Sequence, residues 1–416
     1  MNPKPYLLIF ALFSILLAAC APALNVNPPA ISETPAPALE EQPAAQETIS
    51  MQEMETAESA PAVEQTLITG QEPPGGARNE FSTDFSKTIV NYDEILSGGP
   101  PKDGIPSIDQ PAFVTVAEAD EWLADVEPVI LVEAGGEAKA YPIQILMWHE
   151  IINDTLGGVP VSVTFCPLCN TAIAFERTLD GRVLDFGTTG RLRFSNLIMY
   201  DRQTETWWQQ ATGQAIAGEL TGSQLIFYPA AIIAWQDFRS SYPQGEVLSR
   251  ETGLGRPYGQ NPYAGYDDVN RPPFLYDGPP TPGVLLPMAR VLTLEWNGES
   301  VAYPYDLLRE VSVINDEVGG QPIAIFWTPG TASALDSREI ALGRDIGTAA
   351  AFSREVNGQV LTFVSKEGQI VDNASGRSWD IFGRTSSGEL LTPVVSVNHF
   401  WFSWAAFQPD TRIYQP

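Results

Sequence analysis

Apolar and polar residues follow two rhythms along the central part of the chain. Residues 129–133 and 137–141 alternate around Gly135-Gly136, which predicts a β-hairpin. Tyr141-Pro142 then sets up a helix, with proline near its first turn. Ile145, Trp148, His149 and Ile152 stand at i, i+3, i+4 and i+7, one apolar face expected to point inward, toward the sheet that carries strand 161–165. Asn153-Asp154 and the Gly157-Gly158 pair predict the end of this helix, and residues 161–165 a strand after it. Beyond a short turn, residues 171–177 alternate again, and Asp180-Gly181 turns the chain back into 183–186.

The same pattern returns at an offset of 162. "VILVEAGGEAKAYPIQILMWHEIINDTLGGVP", residues 129–160, aligns without a gap on "VLTLEWNGESVAYPYDLLREVSVINDEVGGQP", residues 291–322. Tyr141/Tyr303, Pro142/Pro304, Asn153/Asn315, Asp154/Asp316, Gly157/Gly319 and Pro160/Pro322 coincide. A looser match pairs Asp201 with Asp372 and Trp208 with Trp379. These matches predict a β-rich α+β body made of two related β-hairpin–helix–strand repeats packed as one. The halves are expected over 81–241 and 288–416. A Pro/Tyr/Gly-rich connection, 242–287, joins them, either as a linker or as a lid or binding loop.

The N-terminus reads differently. Lys4 precedes an apolar run from Tyr6 to Leu17 that ends in "LAAC", residues 17–20. This is the form of a secretory signal, too short to span a bilayer. "LAAC" resembles a lipobox, which makes residues 1–20 a lipoprotein signal peptide and Cys20 the lipidated residue. Residues 21–80 hold ten Glu, no Asp and one basic residue, Arg78, among Ala, Pro and Gln. Such a composition predicts an acidic disordered tether. The expected protein is exported to the cell envelope and held to a membrane by its lipid. A net charge of −28 argues against nucleic acid as a partner. An envelope protein or a small ligand remains open.

Apart from Cys20, the chain has four Cys and His residues: His149, Cys166, Cys169 and His399. At offset 162, His149, Cys166 and Cys169 become Val311, Thr328 and Thr331. Their joint absence suggests one shared site in the first half. "CPLCN" lies between two strand patterns and not at the start of a helix, so the helix-borne activation of redox CxxC sites is missing. Its form is that of a metal knuckle, with Asn170 suited to a left-handed turn. With His149 facing inward, and His399 arriving from "VNHFWFSWAAF", the set suits zinc, or copper(I) with fewer ligands. A Cys166–Cys169 disulfide, structural or redox-active, competes with that reading in an oxidising compartment. A core histidine bonded to a backbone carbonyl is the plain alternative for His149. Glu150, Asn170, Met199, Asp201 and Arg202 are candidates to line the site. No catalytic residue or reaction follows from these residues.

"YPIQILMWHEIIND", "VPVSVTFCPLCNTAIAFER", "SNLIMYDRQTETWWQ" and "FWFSWAAFQPDT" together resemble the bacterial and archaeal family called domain of unknown function 3179, over about residues 85–415. The resemblance implies the extent of the folded part and the importance of His149, Cys166, Cys169 and the Met-Tyr-Asp-Arg segment. The family more often has Gly where this chain has Asn170. No activity follows from it.

Overall fold

The computed structural model describes residues 66–416. The signal sequence, Cys20 and most of the expected tether lie outside the described residues. Its last stretch does not: Ala77–Glu80 is a short helix with Ala77 fully buried. Glu80 there accepts from Arg191 at 2.9 Å, so the folded body begins before residue 81.

The body is β-rich with a few short helices. Strands Pro128–Ala134 and Glu137–Pro142 form the first hairpin, followed by helix Ile143–His149 and strands Ile151–Leu156, Val159–Cys166 and Thr171–Glu176. The first five of these recur with identical offset: Arg290–Trp296, Glu299–Pro304, Tyr305–Val311, Val313–Val318 and Gln321–Thr328.

The helices are shorter than the apolar pattern predicts, and both stop for one reason. Glu150 and Ser312 take left-handed conformations (φ 57° and 59°) and donate their N–H groups to Leu146 and Leu308. The chain leaves each as a strand, so Asn153-Asp154 and Asn315-Asp316 sit in sheets and not at helix ends. The Gly-Gly pairs are hairpin turns. A Cβ on Gly157 would lie 2.1 Å from the Ala134 carbonyl oxygen, and one on Gly319 2.2 Å from that of Trp296. Glycine is needed there because two turns stack backbone on backbone.

Polar groups in the two segments match as well. Tyr141 donates to Asp154 at 2.7 Å, and Tyr303 to Asp316 at 2.8 Å. The Asn153 side chain satisfies both backbone groups of Phe186, and Asn315 does the same for Phe363. Asp201 takes the indole N–H of Trp208 and the amide of Thr204; Asp372 takes those of Trp379 and Ser375. Asp201 is therefore a turn organiser.

The hairpin sheets are completed alike. Strand Ala230–Ala234 pairs antiparallel with Pro128–Ala134, and Val397–Phe400 with Arg290–Trp296. Each continues into a short helix, Trp235–Ser241 or Trp401–Ala405, and a strand parallel to the hairpin, Glu246–Leu248 or Arg412–Ile413. The connection is thus shorter than 242–287, since its first residues finish a sheet. Val397–Phe400 also lies against Thr171–Glu176, and Ala230–Ala234 against Thr348–Ser353. Strand Val397–Phe400 of the second segment thereby reaches the CxxC turn of the first.

Candidate functional site

The CxxC turn joins two buried strands. Cys166 ends Val159–Cys166 and pairs with Thr171, the first residue of the next strand. Cys169 donates its amide to the Cys166 carbonyl at 3.2 Å, and Asn170, at φ 52°, closes the turn in the left-handed conformation expected of it. Both cysteines are free; Cys166 is 2% exposed and Cys169 fully buried.

The groups around the sulfurs are mostly neutral. Cys169 Sγ donates to the Ser195 carbonyl at 3.3 Å and accepts from Asn196 Nδ2 at 3.3 Å. Asn196 is held by Gln209, Gln210 and the Ala211 amide, and Gln210 reaches on to Thr164 and Thr171. Amides of Leu197 and Cys169 approach Cys166. Burial first, and then Cys169, push the Cys166 thiol up; those two amides oppose the shift. Cys166 is therefore held as a thiol at rest.

Ser195 stands in a costly place. Phe194 and Ser195, the turn of a hairpin, are both left-handed (φ 53° and 64°). Such a turn ordinarily takes Asn-Gly. Here the strain coincides with the carbonyl that faces the thiols, as at functional sites. The Ser195 hydroxyl is tied to the Phe274 carbonyl at 2.6 Å.

Glu150 is the ionisable neighbour. Its left-handed backbone turns it toward Cys166, and it is 8% exposed. Burial pushes its carboxyl well above the usual range, and Cys166 adds to the effect. Tyr263 lies by both, its hydroxyl pushed up by burial and then by Glu150 and Cys166. Tyr266 donates to the Leu168 carbonyl at 3.0 Å. Tyr258, Tyr263, Tyr266 and Tyr276 all pack on the core that holds the cysteines. The connection thus lies over the turn.

The four expected metal ligands are not assembled. His149 is buried, but its Nδ1 lies 2.7 Å from the Pro106 carbonyl and its Nε2 2.7 Å from the Tyr258 hydroxyl. Both nitrogens are taken, and burial lowers its pKa, so it is neutral. The carbonyl-bonded core histidine describes Nδ1, and the connection supplies the other partner.

His399 does reach the turn. Its Nδ1 is 3.0 Å from Thr171 Oγ1, and the amide of the next residue, Phe400, donates to the Cys169 carbonyl at 2.9 Å. Its Nε2 is buried without a partner, and burial lowers its pKa to about 3. Among the described residues no group of three or more His, Cys, Asp or Glu is placed to hold a metal.

None of the other candidates hydrogen-bonds to the sulfurs, although Met199 shares their buried core. Met199 is core, facing Thr188 and Trp208 across its sheet. Arg202 bonds Asp103, Asp109, Tyr200 and Ser107, pinning the segment before the first hairpin.

The proposed equivalence of Cys169 and Thr331 is overturned. Cys166 and Thr328 match, each pairing with a threonine, Thr171 or Thr348. Between them lie residues 167–170 in the first segment and 329–347 in the second, four against nineteen. Cys169 therefore has no counterpart, because the turn is replaced by a loop.

Ser195, Asn196, Gln210, Tyr258, Tyr263 and Tyr266 escaped the sequence reading. Ser195 and Asn196 open the quoted "SNLIMYD", next to residues that were singled out. The tyrosines lie in the connection, whose unusual aromatic content was the available signal.

A family model described as "Protein of unknown function (DUF3179)" matches residues 102–411. Comparison with curated proteins and with solved structures gives no match.

Proposed function

The chain belongs to the DUF3179 family, and from that premise we propose a thiol–disulfide exchange protein that works through Cys166 and Cys169. We further propose that the protein is exported and lipid-anchored through Cys20, and that its two segments are copies of one unit, only the first of which carries the site.

The observation that carries the reading is the set of sulfur neighbours. Two adjacent free thiols meet amide donors, one carbonyl and a buried carboxyl whose pKa is raised by burial. In the exchange, one cysteine thiolate attacks a disulfide of an exported partner. A mixed disulfide forms, and the partner's leaving thiolate takes a proton. The second cysteine then attacks the first, closing a Cys166–Cys169 bond and releasing the partner as a dithiol, reduced by two electrons. The tyrosine cover must move for a partner to enter.

A second reading keeps the metal. His399 Nε2, buried and unpartnered beside the turn, favours a soft ion such as copper(I), or zinc, held by Cys166, Cys169 and that nitrogen. One anaerobic preparation decides between the readings. Two titratable thiols without metal, and exchange with a disulfide substrate that is lost in Cys166→Ser, support the redox reading. Stoichiometric copper or zinc with no free thiol supports the other.

A further inference from the structure

A separate cavity of about 530 Å³ opens on the second segment. Its walls come from three regions: the connection, with Asp267, Asp268 and Arg271; the 329–347 loop, with Arg344 and Asp345; and the hairpin–helix unit, with Arg290, Tyr305 and Arg309. This volume lies in the range of small-molecule sites.

Arg290 is its unusual member. The side chain is only 8% exposed, yet it bonds through one nitrogen alone: Nη2 lies 3.4 Å from Asp267 Oδ2 and 3.3 Å from Ser333 Oγ. A guanidinium has five N–H donors. Those on Nε and Nη1 have no partner among the described residues. The nearest carboxylate is already engaged. Asp267 takes both terminal nitrogens of Arg344, at 2.9 and 2.7 Å, and the Ser333 hydroxyl. Phe400 covers Arg290, its ring centre 5.4 Å from Cζ. These N–H groups are not among the fully buried unpartnered atoms, so they are reached from the cavity, where water or a ligand can complete them.

We propose that this cavity binds a small oxyanion, a carboxylate or phosphate group, which takes the free N–H groups of Arg290. Rim residues Arg309 and Arg271 are held only by long pairs to Asp306 (3.8 Å) and Asp268 (3.7 Å), so both are free to turn inward. Three of the other lining carboxylates are occupied: Asp336 and Asp268 accept backbone amides of Arg344 and Asn270, and Asp345 those of Gly330 and Gly347; Asp306 is exposed at the rim with only its long pair to Arg309. The acidic chain gives no long-range attraction to anions, so recognition acts at contact range. Nothing in this proposal depends on the thiols.

The test titrates acetate and inorganic phosphate into the full chain at constant ionic strength, with chloride as control, and follows backbone amide shifts. At least one probe is expected to bind saturably below roughly 10 mM, shifting amides at 288–290 and 345–346. Arg290→Gln should weaken binding about tenfold or more, and Arg309→Ala, at an exposed position, a few-fold. If Arg290→Gln does not fold, Arg290→Lys keeps the charge, loses the fork and should still bind more weakly. No saturable shift with either probe, shifts centred elsewhere, or unchanged affinity in the folded Arg290 variant overturns the proposal.

Discussion

The ends of strands Val159–Cys166 and Gln321–Thr328 are the instructive pair. Both strands follow the same hairpin and helix, and both pair with a strand that begins in threonine. At the first end stand Cys166, Glu150, His149 and, from the facing strand, His399. At the second stand Thr328, Ser312, Val311 and Ile233. Ile233 matches His399 by register, since Val129 pairs with Ile233 and Val291 with His399. The backbone devices are common to both ends: the left-handed helix stop, the stacked glycine turns, and the Tyr–Asp and Asn–backbone bonds. The chemistry is on one side only. The comparison separates the backbone devices common to both ends from the side chains found at one of them.

Changes to the shared devices should hurt both segments, and these are the largest effects expected. Gly157→Ala and Gly319→Ala each force a Cβ into a backbone carbonyl and should each cost on the order of 3–5 kcal/mol in urea unfolding. A mild effect of either would mean that the two turns are not equivalent.

Asn153→Ala and Asn315→Ala each orphan an N–H and a carbonyl, of Phe186 or Phe363. The first, 1% exposed, should cost about 2–4 kcal/mol, and the half-buried second about 1–2. Equal costs would remove burial as the cause.

A substitution that makes strand Val397–Phe400 resemble its counterpart Ala230–Ala234 sharpens the contrast by pH. His399 is held neutral in the fold, its pKa lowered from 6.5 to about 3 by burial. The unfolded chain therefore binds the extra proton between those values. Stability from this group is full above pH 6.5 and is lost as the pH falls toward 3. His399→Ile should flatten that acid-side loss in urea midpoints taken from pH 7 to pH 4. An unchanged slope would show that His399 is not the neutral buried group described.

The smallest effect expected is in the cover. Tyr258→Phe removes the hydroxyl from His149 Nε2 and should cost about 1 kcal/mol. It should also speed alkylation of Cys166 by loosening the connection over the turn. Unchanged alkylation would detach the cover from thiol access.

The hairpins at 129–141 and 291–303 and the strands 161–165 and 323–327 are legible because alternation and Gly or Asn-Gly turns report local geometry; strands Ile151–Leu156 and Val313–Val318 are not. Nor is the helix length. Ile152 continues the helical spacing by coincidence, while a left-handed Glu150 ends the helix without the usual glycine. The return of the C-terminal strand to the first segment is non-local. Its trace is the pairing of Trp235, Phe238 and Pro243 with Trp401, Trp404 and Pro409, at an offset of 166 and not 162. His149 is buried, as the spacing implied, but spacing carries no information on hydrogen-bond partners. Only the fold shows both nitrogens of His149 engaged elsewhere.

The central claim is tested most directly by a redox titration of the full chain in thiol–disulfide buffers, with free thiols trapped by alkylation and counted by mass. The account predicts that Cys166 and Cys169 are lost and regained together, as a two-electron couple with one reversible midpoint, and that Cys169→Ser abolishes the transition. Two cysteines that stay reduced across the whole range, or thiols masked by a stoichiometric metal, would contradict it.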